Sequence, residues 1–521
     1  MVSRVVRHSS IPQEIELKLA VNPRDIPRLR KSLTLNRVGS DKATHVVSTY
    51  YDTPSLSLLH NAIALRLRTV GHHHVQSIKI DSDNGRYPAR RAEINNAIPN
   101  DRLNLQCVED DAIRHLIEKC CKGEKLKPIF FTNVMRELRL LKLGRSHIEC
   151  AIDRGFVSAR RKKAKICELE LELKSGEASS LLKLARRLNA NTPLRIEPAS
   201  KAARGYALVN GAQLVVPKAN AFHLDATMSA KDSLTAALRS CLTHIIGSAD
   251  YAFKSNDPEG IHQLRVAIRR TRAVFSIIRR HVAKGLDVRI ARDLRSLQQK
   301  LGGAREWDVL VEETLKFAPN RLLCAPFSAH LGQIVKAKRA EGHKKAHAAL
   351  QDYHCTDLLL RLAYWIDVEL NSGEGRSHKR KQIAHTLAAP AAKFAEQVIQ
   401  DCHRKAQKLG KNIRTLNSTE LHRLRILIKK LRYATDFFGT LWPQRRTKKY
   451  LSSLKDLQQA LGTFHDTTVA MNLIGSLAAD GGADVKVGIE RINDWLASEQ
   501  QGKRKELIAL WGKFAKRQLF W

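Results

Sequence analysis

The stretch Glu14-Ile15-Glu16-Leu17-Lys18, near the start of the chain, decides which fold the first half of the sequence can adopt. Side chains alternate between the two faces of a strand, so Glu14, Glu16 and Lys18 share one face and Ile15 and Leu17 take the other. Two carboxylates roughly 7 Å apart on one face repel each other. Salt screens that repulsion on an exposed strand, whereas an inward-facing strand needs a cation between the carboxylates. The rest of the sequence should therefore contain groups that match this strand.

Length and charge set the first limits on the protein's class. A chain of 521 residues is too long for one core, so we expect two or more domains. The formal net charge is +39, with an excess of +16 up to residue 210 and +23 beyond it. Both halves can therefore handle polyanions, and nucleic acid is the default polyanion for such a balance. A generally basic, solvated surface is the alternative that charge alone leaves open.

Cysteine usage and hydropathy indicate the compartment. The nine cysteines are odd in number, and none forms a Cys-x-x-Cys pair. That pattern argues against a disulfide framework or a zinc ribbon and favours a reducing environment. We expect no signal peptide, because no long apolar run follows Arg4 and Arg7. No stretch approaches the ~18–20 apolar residues that a membrane span needs, so the sequence predicts a cytoplasmic protein without membrane partners.

At least six strands of the first half carry one charged face and one apolar face. Three carboxylates share a face in segment 168–174, and Glu149 and Asp153 share one in segment 147–153. Antiparallel strands with short connections fit a meander or barrel better than a parallel sheet. We predict helices over residues 22–33 and 109–121 and strands over residues 14–18, 46–51, 64–68, 75–80, 90–94, 136–143, 148–152 and 167–173.

The charges sort by strand, and this sorting predicts which face lies inside. For any single strand, an apolar core with the charges in water is the ordinary arrangement. Acidic strands, however, stand at both ends of the series, with Arg and Lys strands between them. A closed barrel with a charged interior explains the sorting. Such an interior suits a phosphate chain with Mg²⁺ or Mn²⁺, hard ions that prefer carboxylate oxygens.

This ordered series of strands resembles the CYTH, or triphosphate tunnel metalloenzyme, family over residues 11–210. The resemblance implies an eight-stranded antiparallel tunnel that hydrolyses or cyclises a triphosphate with a divalent metal. The motifs that carry it are Glu14-x-Glu16-x-Lys18, Arg66-x-Arg68, Lys79, Arg91, Arg136, the Glu168/Glu170/Glu172 strand and Ser200-Lys201-x-x-Arg204-Gly205-Tyr206.

The same resemblance implies roles for single residues. The metal ligands would be Glu14, Glu16, Glu170 and Glu172, with Asp153 and Glu168 as nearby candidates. The residues that hold phosphate oxygens would be Lys18, Arg66, Arg68, Lys79, Arg91, Arg136, Lys201 and Arg204. Glu170 and Glu172 are the candidates for orienting a metal-bound water, and Lys18 is the third catalytic candidate.

After a linker predicted at 211–224, the pattern changes to helical spacing, which indicates an all-α region over 225–521. This region contains an internal repeat at an offset of 160 residues, in which segment 262–272 matches segment 422–432. The same offset aligns segment 294–302 with 454–462 and residues 305–306 with 465–466. We therefore expect two related helical bundles, around 225–375 and 385–521.

Each repeat carries a basic stripe along one helix. At ~100° per residue, His262, Arg265, Arg269 and Arg272 fall within an arc of roughly 80°. The second repeat has the same arrangement in His422, Arg425, Lys429 and Arg432. One such stripe is ordinarily a solvated helix face, but its recurrence, led by His each time, favours an anion site. Aromatic residues make up only 6% of the chain and none recurs in the stripes, so a phosphate chain fits better than single-stranded nucleic acid.

These helical motifs resemble the CHAD domain over about residues 225–521. The sequence departs from that family at Glu306, which follows Arg305 where an Arg-Asp pair is typical, so the role of this corner is open. The resemblance implies a helical domain that binds inorganic polyphosphate through its basic surface. The implied binding residues are His262, Arg265, Arg269, Arg270, Arg272, Arg295, Arg305, His422, Arg425, Lys429, Lys430, Arg432, Lys455 and His465.

The sequence thus predicts an α+β multidomain chain, with an antiparallel β-barrel and flanking helices at 1–210 and an all-α domain at 225–521. This pairing is similar to bacterial inorganic triphosphatases, which implies metal-dependent hydrolysis of inorganic triphosphate to diphosphate and phosphate. Mg²⁺, or Mn²⁺, is the expected cofactor and polyphosphate the expected second ligand, and association with polyphosphate granules is left open. The alternatives are a polyphosphate anchor with little catalysis, a nucleic-acid-binding protein, and a tunnel acting on thiamine triphosphate or ATP. Since no base or thiazole pocket is marked, those substrates rank lower.

Overall fold

The computed structural model describes residues 12–34, 37–81, 87–211, 214–219, 222–282, 288–319, 322, 325–370, 378–477 and 483–521. The chain forms two compact units. The first contains residues 1–217 together with 351–368, and the second contains residues 218–350 and 369–521. The first unit is built around a β-sheet and the second around helices.

Eight antiparallel strands close into a barrel in the first unit, as predicted. Their order is β5-β4-β3-β2-β6-β7-β8-β1, and pairing of β1 with β5 closes the ring. A short ninth strand pairs with β1 alongside the barrel. The strands are β1 Gln13–Val21, β2 Arg37–Asp52, β3 Ile63–Val70, β4 His73–Ile80, β5 Ala89–Ile98, β6 Lys127–Leu143, β7 Ser146–Ala159, β8 Lys162–Ser175 and β9 Leu194–Ile196.

The register turns the charged face of the strands toward the interior of the barrel. Lys18 of β1 lies opposite Glu170 of β8, and Glu14 lies opposite Arg91 of β5. The alternate position Leu17 points outward, yet it is only 1% exposed. The predicted charged interior is therefore confirmed, and a second layer must cover the apolar outer face.

That second layer is formed by helices. Helix α3 begins after the cap residue Asp110, whose side chain accepts hydrogen bonds from two backbone N–H groups of the first turn. Its buried residues Ile113 and Leu116 belong to the same apolar cluster as Leu65 and Ile78 of the barrel wall. Burial outside the barrel stabilises the fold while the interior stays polar. The helices of residues 1–217 are α1 Ile26–Ser32, α2 Ser57–His60, α3 Asp111–Cys121, α4 Ser179–Asn191 and α5 Lys201–Val209.

The rest of the described chain is helical. Among its helices, α11 belongs to the first unit and the others build the second. No described helix combines the length and the apolar character that crossing a membrane requires. The helices are α6 Ala230–Lys254, α7 Pro258–His281, α8 Val288–Lys300, α9 Gly302–Val309, α10 Ala325–Gln351, α11 Tyr353–Tyr364, α12 His378–Ala388, α13 Ala391–Gly410, α14 Ser418–Phe438, α15 Gln444–Ser476 and α16 Ala483–Ala515.

The internal repeat is visible in the helices of the second unit. Helices α7 and α14 carry the two basic stripes, pack against α6 and α13 respectively, and contact each other. The apolar side of α7 is buried, with Leu264 and Ile268 at 0% exposure. The repeats differ after the stripe, because the first breaks at Leu301 between α8 and α9, whereas the equivalent segment of the second lies inside the continuous helix α15.

Candidate functional sites

The barrel encloses a cavity of about 400 Å³. Each strand contributes every second residue to the cavity wall, because side chains alternate along a strand. Residues that are distant in the chain therefore meet in one charged space. Of the residues singled out in the sequence, the wall contains Glu14, Glu16, Lys18, Arg66, Arg68, Lys79, Arg91, Arg136, Glu170, Glu172 and Lys201.

Three carboxylates, two of them buried and one partly buried, form a cluster at the part of the barrel next to α5. One oxygen each of Asp153, Glu168 and Glu170 lies within 4.8 Å of the other two. The Nζ of Lys201 lies between them, at 2.7 Å from Asp153 Oδ2, 2.5 Å from Glu168 Oε1 and 2.8 Å from Glu170 Oε1. Arg204, one turn further along α5, forms an ion pair with Glu168 and is not part of the cavity wall. Helix α5 thus supplies two cations to this acidic cluster.

Arg136 of β6 adds a third cation to the acidic cluster. Its Nε donates to Asp153 Oδ1 at 2.7 Å, and its Nη2 donates to Glu170 Oε2 at 2.6 Å. Burial alone would raise the pKa of Asp153 and of Glu170, but Lys201 and Arg136 hold both pKa values below their usual range. Both carboxylates are therefore ionised at neutral pH.

The opening motif forms a second charged cluster in the cavity wall. Glu16 Oε1 lies 2.5 Å from both Lys18 Nζ and Arg91 Nη1, and Glu14 Oε2 lies 2.5 Å from Lys79 Nζ. Burial of Glu16 opposes its ionisation, but Lys18 and Lys79 lower its pKa to about 2. Burial raises the pKa of Glu14 to about 7 in spite of Lys79. The two carboxylates of one motif therefore differ in protonation at neutral pH.

Arg68 is a partly buried cation of the cavity wall that forms no ion pair in the described part of the chain, although the charge of Glu170 acts on it. Its Nε has no hydrogen-bond partner there. The charge of Arg66 and then burial lower the pKa of Arg68 to about 10. Arg66 is better balanced, because its Nη2 lies 3.2 Å from Glu93 Oε1. A partly buried arginine held beside other cations needs an anion to balance it, and here the cavity offers space for one.

An apolar cluster fixes α5 against the barrel. Tyr50 stacks on Phe130 at a centroid distance of 4.5 Å, and Phe130 meets Tyr206 of α5 edge-on at 5.0 Å. Gly205 lies so close to Phe130 that a Cβ at this position would be 2.1 Å from the ring. The hydroxyl of Tyr206 donates to Asp52 Oδ2 at 2.8 Å. These contacts determine where the cations of α5 reach the acidic cluster.

Several residues of the cavity wall were not assigned by the sequence analysis. Glu93 is one of them, and it pairs with both Arg66 and Lys79. The alternation of β5 could have identified it, because Arg91, Glu93 and Asn95 share one face. The unassigned residues include Tyr50, Glu93, Asn95, Glu149 and Lys174.

The donor set of the acidic cluster fits a hard divalent cation. Asp153, Glu168 and Glu170 offer only carboxylate oxygens, the ligands that Mg²⁺ and Mn²⁺ prefer. The position of the Lys201 ammonium among all three carboxylates is that of a cation in an anionic cage. The other candidate metal ligands lie outside this group of three, on β1 and at the far end of β8. These are Glu14, Glu16 and Glu172.

In the second unit, the two stripes form one basic cluster. We define it as His262, Arg265, Arg269 and Arg305 of the first repeat with His422, Arg425, Lys429 and His465 of the second. After burial, the charges that lower the pKa of Lys429 are those of Arg425 on its own helix and Arg269 on the other. The pKa of Arg425 is likewise lowered by burial and by the charge of Arg269 on the other helix. The stripes therefore lie side by side.

The electrostatics of the basic cluster are those of a site without its counter-charge. Burial and neighbouring cations lower the pKa of Lys429 to about 6 and that of Arg265 to about 10. They lower the pKa of His262 and of His465 to about 4. Buried guanidinium nitrogens remain without a hydrogen-bond partner in the described residues, which is costly unless an acceptor is supplied. Within the cluster these are the Nε atoms of Arg265, Arg269 and Arg425, and beside it those of Arg270 and Arg432.

Acidic residues border the basic cluster but do not balance it. Glu313 Oε1 lies 2.5 Å from Arg305 Nη2, and Asp466 Oδ1 lies 3.6 Å from Arg425 Nη2. Burial raises the pKa of Asp466 in spite of Arg425, so its negative charge is weakened. The sequence leaves the role of the Arg305 corner open. In the structure Arg305 is paired with the carboxylate of Glu313, eight residues further along the chain.

The remaining predicted polyphosphate residues lie beside the basic cluster. Asp436 faces three of them, Arg432, Arg270 and Lys455, and burial raises its pKa in spite of them. The others lie around Arg272, which has Arg295 and Lys430 as charged neighbours. The structure therefore divides the predicted set into one shared cluster and two flanking groups.

Two family models match the chain, each over less than half of its length. Residues 12–206 match the family model of the CYTH domain, and residues 236–475 match that of the CHAD domain. An inorganic triphosphatase from Haemophilus influenzae is 30% identical over 202 residues, which are 38% of this chain and 55% of that protein. The chain thus spans about half the length of this curated relative.

A solved structure supports the helical half independently. The crystal structure of the CHAD domain from the plant Ricinus communis is 26% identical, with a TM-score of 0.51. It covers 58% of this chain and 98% of that chain.

Proposed function

Because the chain contains a CYTH domain followed by a CHAD domain, we propose that it hydrolyses inorganic triphosphate to diphosphate and phosphate in the charged barrel. The observation that carries this proposal is the charge sorting of the cavity wall, with most carboxylates on β1, β7 and β8 and most arginines and lysines on β3 to β6. Among the strand residues, Glu93 of β5, Lys18 of β1 and Lys174 of β8 are the exceptions. A triphosphate chain needs many fixed cations and a metal to neutralise it. The resemblance to an inorganic triphosphatase supports the same substrate.

The cations of the cavity wall would bind the phosphate oxygens. Arg68 is the strongest candidate, because it is partly buried among cations and gains an acceptor when an anion enters. Lys18 and Lys201 are paired with Glu16 and Glu170, and both also line the cavity. From there they can donate to the phosphate that is transferred. The other proposed contacts are Arg66, Lys79, Arg91, Arg136 and Arg204.

Asp153, Glu168 and Glu170 would hold a divalent cation, with Glu14, Glu16 and Glu172 as further candidates on the neighbouring strands. When bound, the cation would neutralise phosphate oxygens and lower the pKa of a water. Mg²⁺ is the ion we propose, and Mn²⁺ the alternative, because every donor is a carboxylate oxygen. Glu170 and Glu172 would orient the attacking water through hydrogen bonds, and Lys18 would stabilise the growing negative charge.

For the second unit, we propose that the basic cluster binds inorganic polyphosphate. A flexible chain of phosphates supplies many acceptors, and the Nε atoms of Arg265, Arg269, Arg425 and Arg432 have none among the described residues. Bound phosphate would also restore the pKa of Lys429 toward its usual value. The alternative function is a polyphosphate anchor with little catalysis. It is supported by the fact that every residue of the basic cluster belongs to the second unit, so binding there would not require the barrel.

Organic triphosphates are the less favoured substrates. A nucleotide or thiamine triphosphate needs a surface that stacks on its ring. The two aromatic residues of the cavity wall, Tyr50 and Tyr206, pack against Phe130 instead. The cavity wall is otherwise rich in charged side chains, which favours a bare phosphate chain.

Phosphate release from four substrates tests the tunnel proposal. Inorganic triphosphate, ATP, thiamine triphosphate and long polyphosphate are compared with Mg²⁺, with Mn²⁺ and with EDTA. We expect inorganic triphosphate to be hydrolysed fastest and EDTA to abolish the reaction. A protein that binds polyphosphate tightly but releases no phosphate from any substrate would support the anchor function instead.

Charge reversal tests the basic cluster. The double variant Arg265→Glu, Arg425→Glu should lose polyphosphate binding, because it reverses one central cation of each stripe. Lys345→Glu is the matched control, since Lys345 is exposed and pairs with Glu341 on its own helix. Binding is measured at several salt concentrations, with DNA as competitor at matched salt. An unchanged affinity and salt dependence in the double variant would identify the stripes as a solvated face.

A further inference from the structure

Helix α11 lies within the range that matches the CHAD domain, yet it belongs to the compact unit that contains the barrel. It packs against α4 and the short strand β9. Helix α4 in turn packs against β1 and β8, the strands that carry Glu14, Glu16, Glu170 and Glu172 of the cavity wall. The proposed reaction gives α11 no role, so its contacts with the barrel layer need an explanation.

Two buried polar contacts hold α11 in place. Thr356 is 3% exposed, and its Oγ1 donates to the carbonyl oxygen of Leu194 in β9 at 2.6 Å. Asn189 of α4 is 1% exposed, and its Nδ2 donates to the carbonyl oxygen of Tyr353 at 2.8 Å. A third contact is partly exposed, with Arg186 Nε 2.9 Å from Asp357 Oδ1. Buried hydrogen bonds of this kind are costly to break, so the position of α11 is well determined.

These contacts hold the backbone of β9 in place. Both backbone groups of Leu194 are bound by side chains, since its N–H donates to Asn189 Oδ1 at 3.1 Å and its carbonyl accepts from Thr356. Strand β9 pairs with β1 through Ile196 and Leu19. Just beyond β9, the N–H of Glu197 donates to the carbonyl oxygen of Lys18 at 3.0 Å. The backbone of a proposed catalytic lysine is thereby tied to a strand that α11 holds.

The chain that leaves β9 leads directly to the second lysine. Pro198 restricts the backbone of this short connection, and Ser200 caps α5 by accepting from the N–H of Ala203. Lys201 is the first residue of α5 and reaches all three carboxylates of the acidic cluster. A displacement of β9 would therefore move Lys18 and Lys201 together.

We propose that Thr356 is a positioning residue for triphosphate hydrolysis: its hydroxyl holds β9 so that Lys18 and Lys201 keep their places in the cavity wall. This inference rests on the function proposed above. It gives a residue inside the CHAD range a role in the chemistry of the CYTH barrel, although Thr356 does not line the cavity.

The kinetic test uses Thr356→Val in the full chain, which removes the hydroxyl and keeps the shape of the side chain. We expect kcat/KM for inorganic triphosphate to fall at least fivefold, mainly through kcat, because misplaced lysines stabilise the transition state less well. Thr356→Ser, which keeps the hydroxyl, should stay within twofold of the wild type. Thr435→Val is the matched control, because Thr435 is also fully buried but donates to Leu431 of its own helix.

Hydrogen exchange provides a readout that needs no turnover. The N–H groups of Leu194 and Glu197 should exchange at least fivefold faster in Thr356→Val and at the wild-type rate in Thr435→Val. Arg186→Gln, a milder change at a partly exposed contact, should shift exchange and kcat/KM in the same direction by less. This second variant keeps the proposal testable if Thr356→Val does not fold.

The outcomes separate this inference from the proposed function. Wild-type kcat/KM in Thr356→Val, or a loss of activity with unchanged exchange of Leu194 and Glu197, would overturn the positioning role while the hydrolase function stands. A wild-type protein that releases no phosphate would contradict the hydrolase function. The exchange rates would then still decide whether Thr356 holds β9.

Discussion

Glu170 is a carboxylate of the barrel interior that lies among three cations. It lies opposite Lys18 on β1 and accepts hydrogen bonds from both Arg136 and Lys201. Those cations keep its pKa well below the usual range in spite of burial. Glu170 is therefore a fixed negative charge at the place where the cations and the proposed metal meet.

We predict that Glu170→Gln or Glu16→Gln lowers triphosphate turnover at least tenfold while the fold survives. Glutamine keeps the shape of the side chain but removes the charge that a divalent cation requires. Turnover is measured with Mg²⁺ and folding by thermal unfolding. Glu137→Gln is the control, because Glu137 lies on β6 but pairs with Arg30 of α1 and with Arg154. Unchanged turnover in both variants would remove these residues from the metal site.

Arg68 allows a prediction in which activity and stability move in different directions. Arg68→Met should lower kcat/KM for triphosphate at least tenfold without lowering the melting temperature. The loss follows from the missing phosphate contact, whereas the fold loses a partly buried cation that is repelled by Arg66. Arg154→Met, a change of a half-exposed arginine on β7, should leave kcat/KM within twofold of the wild type. A large loss of stability in Arg68→Met would mean that this arginine has a structural partner.

At the scale of elements, α7 and α14 are helices that repel each other along their contact. Each buries an apolar side, and the cost of the contact appears in Arg425 and Lys429 of α14, whose pKa values are lowered by burial and by the charge of Arg269 on α7. Apolar packing of residues such as Leu264 and Ile428 against α6 and α13 keeps the helices in place in spite of that cost. Such an arrangement is typical of a site whose counter-charge comes from a ligand.

The pH dependence of polyphosphate binding follows from Lys429. Its pKa is about 6 in the free protein, and bound phosphate would raise it. The complex then binds an additional proton at pH values between these two pKa values, so affinity should rise as pH falls from 8 to 6. The gain is at most about tenfold per pH unit for one coupled proton. Titration calorimetry at pH 6, 7 and 8 checks this.

Two variants make that pH prediction specific. Lys429→Met should flatten the pH dependence, whereas Lys345→Met, a change of an exposed lysine, should keep it. The stability of the free protein should depend on pH in the opposite direction to polyphosphate binding. The pKa of Lys429 lies below its usual value of 10.5, so the unfolded chain binds more protons between the two values. The free protein should therefore become more stable as pH rises through that range.

At the scale of the whole molecule, the two sites are built from residues of separate compact units. We predict that their functions can be removed one at a time. Glu170→Gln should keep wild-type affinity for polyphosphate within twofold, and the double variant Arg265→Glu, Arg425→Glu should keep triphosphate turnover within twofold. Both activities are measured on each full-length variant. A loss of both activities in either variant would mean that one site depends on the other.

Local periodicity by itself determined the layout of this protein. Alternating charged and apolar residues predicted a barrel with a charged interior, and the recurrence of His262–Arg272 at His422–Arg432 predicted two related helical halves. Both features depend on the pattern within one strand or one helix, which the chain shows directly. Glu14 and Arg68 could be assigned to the cavity wall for the same reason, whereas Lys201, the first residue of a helix, was expected there only from the family resemblance.

Only the tertiary structure decided which of these residues meet. The register of β7 and β8, together with the docking of α5, brings Asp153, Glu168 and Glu170 around Lys201 and leaves Glu14 outside that cluster. The contact between α7 and α14 merges two stripes into one cluster, and α11 joins the barrel unit from within the CHAD range. Contacts of this kind depend on packing between segments that are far apart in the chain, and no local pattern records them.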